Sequence, residues 1–289
     1  MQPDFLKSSP FALIEKIKSE GATLYSLSTY RNGEANHYPV TPSDNCHNSY
    51  SVAKAFTVTA IGMLVDENKL STDDLVVDIL GKYLPVDADP LWKSVRVHDL
   101  LTHTFGISRG FLDIDAEDPL KFGDDYLAYC FKTPLYKDLL HTRTYSDGAY
   151  YMLSRIVAEI SGTDLRAYLT PRLFIPLKFK EVAWSTCPMG YSMGATGLYI
   201  RTDDMLKLGV VYLEGGTYQG KRILSNEWVK TVFERGYELR PRASNPGVYA
   251  KGGMYGQMLY ISRNENTVLA WHAHDRCGAV KRALEYFNM

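Results

Sequence analysis

The segment 51–70, SVAKAFTVTAIGMLVDENKL, constrains the fold more than any other part of the chain. Its periodicity is helical and it is apolar on nearly every side, the pattern of a helix buried in a core. Such a helix needs packing partners around its whole circumference, so the chain must build a body able to enclose it. At its head Lys54 follows Ser51 by three residues, which puts both on one helical face. A lysine there either runs its amine out to water from the helix end or stays inside, where burial disfavours the charged form.

The rest of the chain supplies the enclosure. With 289 residues it suits one large domain or two interleaved lobes. Helical and loop character dominates from Ser51 to about residue 180, including the amphipathic GAYYMLSRIVAEISG, closed by Gly162. DLRAYLTPRLFIPL continues it, punctuated by prolines. Before this stretch, PFALIEKIKSEG reads as a helix capped at Gly21, ATLYSLSTY as a strand, and RNGEA as an Asn-Gly turn returning through NHYPV. After it come the strand TGLYIR and the helix TDDMLKLGVVYLEGG. A loop with Pro and Gly leads to the strands GQMLYIS and TVLAWHAH, joined by the turn RNEN, and to a closing helix, GAVKRALEYFNM. The outline is an antiparallel sheet built from both chain ends and flanked by terminal helices, with a mostly helical lobe inserted.

Charge and cysteine usage exclude several classes. A net charge of −1 without a basic block argues against nucleic acid or an anionic membrane surface as partner. The N-terminus carries Asp4, Lys7, Glu15 and Lys16 and lacks the apolar run of a signal peptide, and no stretch approaches a membrane span. Cys46, Cys130, Cys187 and Cys277 form no CxxC pair and are expected as free thiols in a reducing compartment, which makes a cytoplasmic location the expectation.

Three separated segments can carry chemistry. Ser51 is a poor nucleophile until a base takes its proton, and Lys54 is one helical turn away. In TRTYSDGAYYML, Tyr145 could serve as a general base if a lysine ammonium lies near it. In the same segment Ser146 or Asp147 could simply cap the helix that follows. In YAKGGMYGQMLYIS, Lys251-Gly252-Gly253 leads toward a strand; its glycines permit close backbone approach to a ligand, and the lysine could hold a carboxylate. The bland reading is a Lys-Gly-Gly turn.

Taken in this order, Ser-x-x-Lys, Tyr-Ser-Asp and Lys-Gly-Gly resemble the signature of the serine β-lactamase and penicillin-binding-protein superfamily. The likeness is greatest to its class C β-lactamase-like branch, with its esterase, D-peptidase and amidase relatives. VRVHDLLTHTFGI, LVDENKLSTDDLVVDILGKYLP and SMGATGLYIRTDDMLKLGVVYLEGGTYQGKRILS resemble further segments of that branch, so the resemblance extends over about residues 22–289. It implies an α/β (α+β) fold with a sheet lobe of residues 1–49 and 186–289, a helical lobe of residues 50–185, and an active site in the cleft between them. Ser51 would be the nucleophile, Lys54 its proton partner and Tyr145 the second base. Lys251 would shape the electrostatics and anchor substrate. Gly253 would lie against the ligand, and the backbone N–H groups of Ser51 and Met254 would form the oxyanion hole.

Two departures leave the substrate open. Asp147 stands where the branch usually has Asn; an ionised Asp can only accept hydrogen bonds, and could pair with Lys54, with Lys251 or with a cationic substrate group, or cap the helix. Gly252 stands where β-lactamases and transpeptidases usually have a Thr that helps hold a carboxylate. His272 and His274 share a face of a strand, but a zinc site needs more ligands and no partner pair is evident. His103 falls in a structural segment of the family and is expected in the core. The expectation is therefore a serine hydrolase without metal or cofactor, working through an acyl-enzyme on a small-molecule or peptide-like ester, amide or lactam. The alternatives are a penicillin-binding or sensor module that acylates but turns over poorly, and a silent scaffold.

Overall fold

The computed structural model describes residues 9–242, 245–287 and 289; the expectations for Asp4 and Lys7 lie outside them. The chain divides into two compact units. The first comprises Met1–Val52, Leu177–Ala183 and Leu198–Met289, the second Ala53–Pro176 and Trp184–Gly197.

The first unit is built on a six-stranded antiparallel sheet. In chain order the strands of the protein are β1 (Thr23–Arg31), β2 (Glu34–Pro39), β3 (Cys46–Asn48), β4 (Val182–Trp184), β5 (Leu198–Arg201), β6 (Thr217–Tyr218), β7 (Lys221–Arg222), β8 (Arg240–Arg242), β9 (Asn245–Gly252), β10 (Met258–Ser262) and β11 (Thr267–His274). The large sheet runs β2-β1-β11-β10-β9-β8, and β3-β5-β4 and β6-β7 form small sheets beside it. Arg31 pairs with Glu34 across the turn Asn32-Gly33, as the Asn-Gly dipeptide predicts. β10 is buried throughout and β11 up to its final His274, because both faces of the sheet are covered, which explains why these strands read as near-continuous apolar runs. On one face Leu269 and Trp271 join Leu13 and Ile17 of helix Pro10–Ser19 and Ala283 and Leu284 of helix Ala279–Tyr286. On the other, helix Thr202–Leu213 comes so close that a Cβ on Gly209 would stand 2.4 Å from Val268.

Two parts of this unit differ from the sequence reading. The stretch taken as a loop before β10 contains helix Asn226–Arg235, β8 and β9. Its helix is amphipathic and capped at both ends: Ser225 accepts the Trp228 N–H at 3.0 Å, and Gly236 ends it in a left-handed conformation. Lys251 and Gly252 likewise lie within β9, and the turn begins only after them.

In the second unit helix Ala53–Asp66 is buried at every residue from Ala53 to Leu64, as its all-round apolarity demands. Ser51 lies just ahead of it, in the 3-10 turn Tyr50–Val52, and the helix stops at Asp66, short of the expected residue 70. Helix Asp147–Ser161 packs against it, with the shorter helices Val76–Leu80, Val97–Thr102, Tyr126–Phe131 and Leu165–Leu169 around the pair. An aromatic cluster stiffens this body, with the Trp92 ring centroid 5.2 Å from Phe131 and 5.7 Å from Phe105.

Candidate active site

In the first unit the turn that carries Ser51 is held from below. Ser49 donates its N–H to Leu198 O at 2.8 Å, and its buried hydroxyl meets His272 Nε2 at 3.1 Å. The other ring nitrogen of His272 meets Thr202 Oγ1 at 2.8 Å, and that hydroxyl bonds Ser26 at 2.6 Å. Complete burial, with a smaller contribution from His47, pushes the His272 pKa down to about 3, so the ring is neutral and serves as a fixed bridge. Above it, Tyr50 adopts a left-handed backbone with φ 45°, and Val52 N–H returns to Ser49 O at 3.1 Å. Ser51, half-buried, occupies the middle of this turn, which runs directly into helix Ala53–Asp66.

The end of β9 meets the same turn. A Cβ on Gly253 would stand 2.9 Å from Ser49 O and 2.6 Å from Gln257 Oε1, so only glycine fits there without displacement. Buried Gln257 shapes the loop: its carbonyl accepts Gly253 N–H at 2.8 Å and its side-chain oxygen accepts Tyr255 N–H at 3.1 Å, while its amide donates to Ala273 O at 2.8 Å. Gly256 N–H bonds Gly253 O at 3.2 Å. Among the described residues, the Met254 N–H has no protein hydrogen-bond partner. Lys251 is nearly buried on β9, and its ammonium pairs with the carboxylate of Glu238, itself 2% exposed. Glu238 carried no motif or spacing that would have marked it in the sequence.

In the second unit Lys54 is completely buried. Its ammonium donates to Asp147 Oδ1 at 2.7 Å and to Ala195 O at 2.9 Å, and lies 4.7 Å from the Tyr145 ring centroid and 5.8 Å from that of Tyr150. It therefore stays inside and does not snorkel to solvent. A buried ammonium is tolerated only when paired and hydrogen-bonded, and the carboxylate, carbonyl and ring faces supply this. Of the roles open to Asp147, the structure selects the pair with Lys54. Asp147 stands in the first turn of its helix, where the dipole favours an anion. Ser146, at the cap position, makes no side-chain cap bond; its hydroxyl meets the backbone of Phe111 at 3.3 Å.

Tyr145, about a third exposed, is braced by buried His103. The rings lie 4.7 Å apart, His103 Nδ1 accepts Ser146 N–H at 3.2 Å, and His103 O accepts Thr144 N–H at 2.9 Å. His103 is thus a core residue that also fixes the loop beside Tyr145. Helix Asp147–Ser161 starts flush against Phe111, since a Cβ on Gly148 would stand 1.9 Å from that ring.

Asp113 and Asp115 complete this region. Their carboxylates and that of Asp147 lie within 4.8 Å of one another, and Thr196 donates its hydroxyl to Asp115. Burial pushes the pKa of both Asp113 and Asp115 upward; for Asp113 the Asp147 charge is the next largest cause. Three carboxylate oxygens are a set that a hard divalent cation could use, but Lys54 already supplies positive charge to Asp147. Both ring nitrogens of His272 are engaged with hydroxyls, and the His274 ring stacks on Tyr255 at 5.1 Å.

Residues 19–286 match the family described as Beta-lactamase. Penicillin-binding protein 4 of Amycolatopsis lactamdurans is 34% identical over 140 residues, which cover 47% of this chain and 35% of that protein. Teichoic acid D-alanine hydrolase of Staphylococcus aureus is 24% identical over 250 residues, covering 76% of this chain and 59% of that protein. The chain thus spans less than two thirds of the length of either curated relative. Among solved structures, a penicillin-binding protein homolog from Caulobacter crescentus shares the fold with a TM-score of 0.73 at 15% identity, covering 99% of this chain and 97% of that one.

Proposed function

The chain belongs to the Beta-lactamase family, and from that premise we propose that it is a serine hydrolase that cleaves esters or amides through an acyl-enzyme on Ser51. The observation that carries this reading is Lys54. It is a fully buried lysine one helical turn after Ser51, held by Asp147 and Ala195 O with its ammonium against the Tyr145 ring.

The Ser51 hydroxyl attacks the substrate carbonyl carbon and its proton passes to the Tyr145–Lys54 pair. The carbonyl oxygen, now negative, is received by the backbone N–H groups of Ser51 and Met254. Tyr145 returns the proton to the leaving group, and water, activated by the same base, releases the acyl group. Each general acid–base contribution is worth about 10²–10⁴-fold, and each oxyanion donor about 10²–10³-fold. The pairing of Asp147 with Lys54 supports a division of labour in which Tyr145 moves the proton and Lys54 stabilises the charge that develops on it. The named activity of the teichoic acid D-alanine hydrolase relative supports acyl groups of the D-alanyl kind. The four thiols, none in a disulfide, support the cytoplasmic location; among the described residues no helix is long and apolar enough to cross a membrane.

The test is a hydrolysis panel on wild type and Ser51→Ala with short p-nitrophenyl esters, a chromogenic cephalosporin and D-amino-acid amides. The expected outcome is turnover of at least one class by wild type and its loss in Ser51→Ala. Equal turnover by both proteins would remove Ser51 from the mechanism.

A further inference from the structure

Lys251 is the residue through which a substrate carboxylate would be expected to bind, yet its ammonium pairs inside the protein with Glu238. The acid is placed for this by the fold. Glu238 lies between helix Asn226–Arg235 and β8, flanked by the buried Tyr237 and Leu239, and takes a left-handed backbone with φ 60°, uncommon for a residue with a side chain. That conformation turns an ionisable group inward. The register of the sheet does the rest: Arg240 pairs with Ala250, so the chain just before β8 runs beside Lys251. Lys251 shares its sheet face with Tyr249, whose ring stacks on Phe233 at 4.0 Å, and both members of the ion pair are more than nine-tenths buried. An ion pair so enclosed has little net charge to offer. A carboxylate brought to Lys251 would also meet the carboxylate of Glu238, and like charges set side by side at an interface are strongly disfavoured.

We propose that Glu238 is a specificity-determining residue, which engages Lys251 in an internal ion pair and so selects acyl compounds with no carboxylate beside the scissile bond. This rests on the placing of Lys251 at the substrate site in the reading above. Neutral esters and amides satisfy the restriction. Compounds with a free carboxylate next to the reacting carbonyl, such as penicillins and peptides ending in D-alanyl-D-alanine, do not. Gly252 acts in the same direction, because it brings no hydroxyl to hold a carboxylate.

The test compares the binding of N-acetyl-D-alanine and N-acetyl-D-alaninamide, which differ in the carboxylate, by ligand-observed NMR titration. The proteins are wild type, Glu238→Gln and the double variant Glu238→Gln/Lys251→Gln. Without the Glu238 carboxylate beside it, Lys251 in Glu238→Gln is expected to raise the acid-over-amide affinity ratio by about tenfold or more, whereas the double variant keeps the wild-type ratio within about threefold. The double variant removes both charges of the pair together, so it reports even if the single variant fails to fold. An unchanged ratio in Glu238→Gln would overturn the proposal. So would a wild-type preference for the acid that the double variant loses. Fluorophosphonate labelling of Ser51 in the same proteins distinguishes the two readings: a wild type that stays unlabelled contradicts the serine mechanism, whereas the affinity ratio alone judges Glu238.

Discussion

At the scale of single residues, a buried lysine and the acid opposite it set the character of the site. Breaking such a pair by removing one partner typically costs about 3–5 kcal/mol, because the other charge stays buried and uncompensated. Asp147→Ala is therefore expected to lower unfolding stability by about that amount in a denaturant titration. Asp147→Asn should cost less, because the amide oxygen still accepts from Lys54 although the charge is no longer compensated. The neighbouring Asp113 carries a carboxyl whose pKa lies above its ordinary 3.8. A carboxyl raised in the folded state holds its proton better there than in the unfolded chain, so its favourable contribution is complete below 3.8 and is lost as pH rises through the folded value. Asp113→Asn removes that loss and keeps an oxygen to accept the Asp115 N–H, which Asp113 now accepts at 3.1 Å. Its melting temperature relative to wild type should consequently increase between about pH 4 and pH 7. A flat difference over that range would contradict the assigned cause.

Among the structural elements, the loop after β9 is the one most exactingly shaped. Gly253→Ala forces a methyl group against Ser49 O and Gln257 Oε1, so the loop must shift, and the proposed oxyanion geometry would not tolerate that. The expected outcome is a fall in kcat of about 10²-fold, the size of one lost oxyanion donor, with a far-ultraviolet circular dichroism spectrum like that of wild type. The legibility of the sequence divides along the same lines. Ser51, Lys54 and Tyr145 could be picked out because each stands in a short local pattern, and helix Ala53–Asp66 because apolarity all round has one physical meaning. Lys54 and Asp147 were visible singly, but their pairing across 93 positions was one of several open choices. Glu238 and Gln257 were silent, since each acts through a contact made only by the fold. Helix Asn226–Arg235 is bracketed by Ser225 and Gly236 and buries Trp228, Val229, Val232 and Phe233, signals that are present in the stretch but that a reading of it as a Pro- and Gly-containing loop leaves unused. In the motif Tyr145-Ser146-Asp147 the capping alternative looked natural, yet both polar side chains are drawn away from the helix end by tertiary partners.

At the scale of the whole molecule, the Ser51 turn and the loop at Met254 belong to the first unit, and Lys54 and Tyr145 to the second. The first is also acid-sensitive. His272 titrates in the unfolded chain near 6.5 but in the folded protein only at about 3, so stability is complete above 6.5 and falls with pH through that window. Replacing it by Gln, whose amide can still bond both Ser49 and Thr202, should reduce proton uptake on unfolding at about pH 5 by about one proton. Calorimetric unfolding in buffers of different ionisation enthalpy measures that number. The central claim remains the covalent step, and the most direct test is to trap it. Wild type is quenched in acid during turnover of a p-nitrophenyl ester, weighed intact and digested. The account predicts a mass increase of one acyl group, located on the peptide containing Ser51 and absent from Ser51→Ala. Hydrolysis without any adduct in wild type, or an adduct that persists in Ser51→Ala, would contradict it.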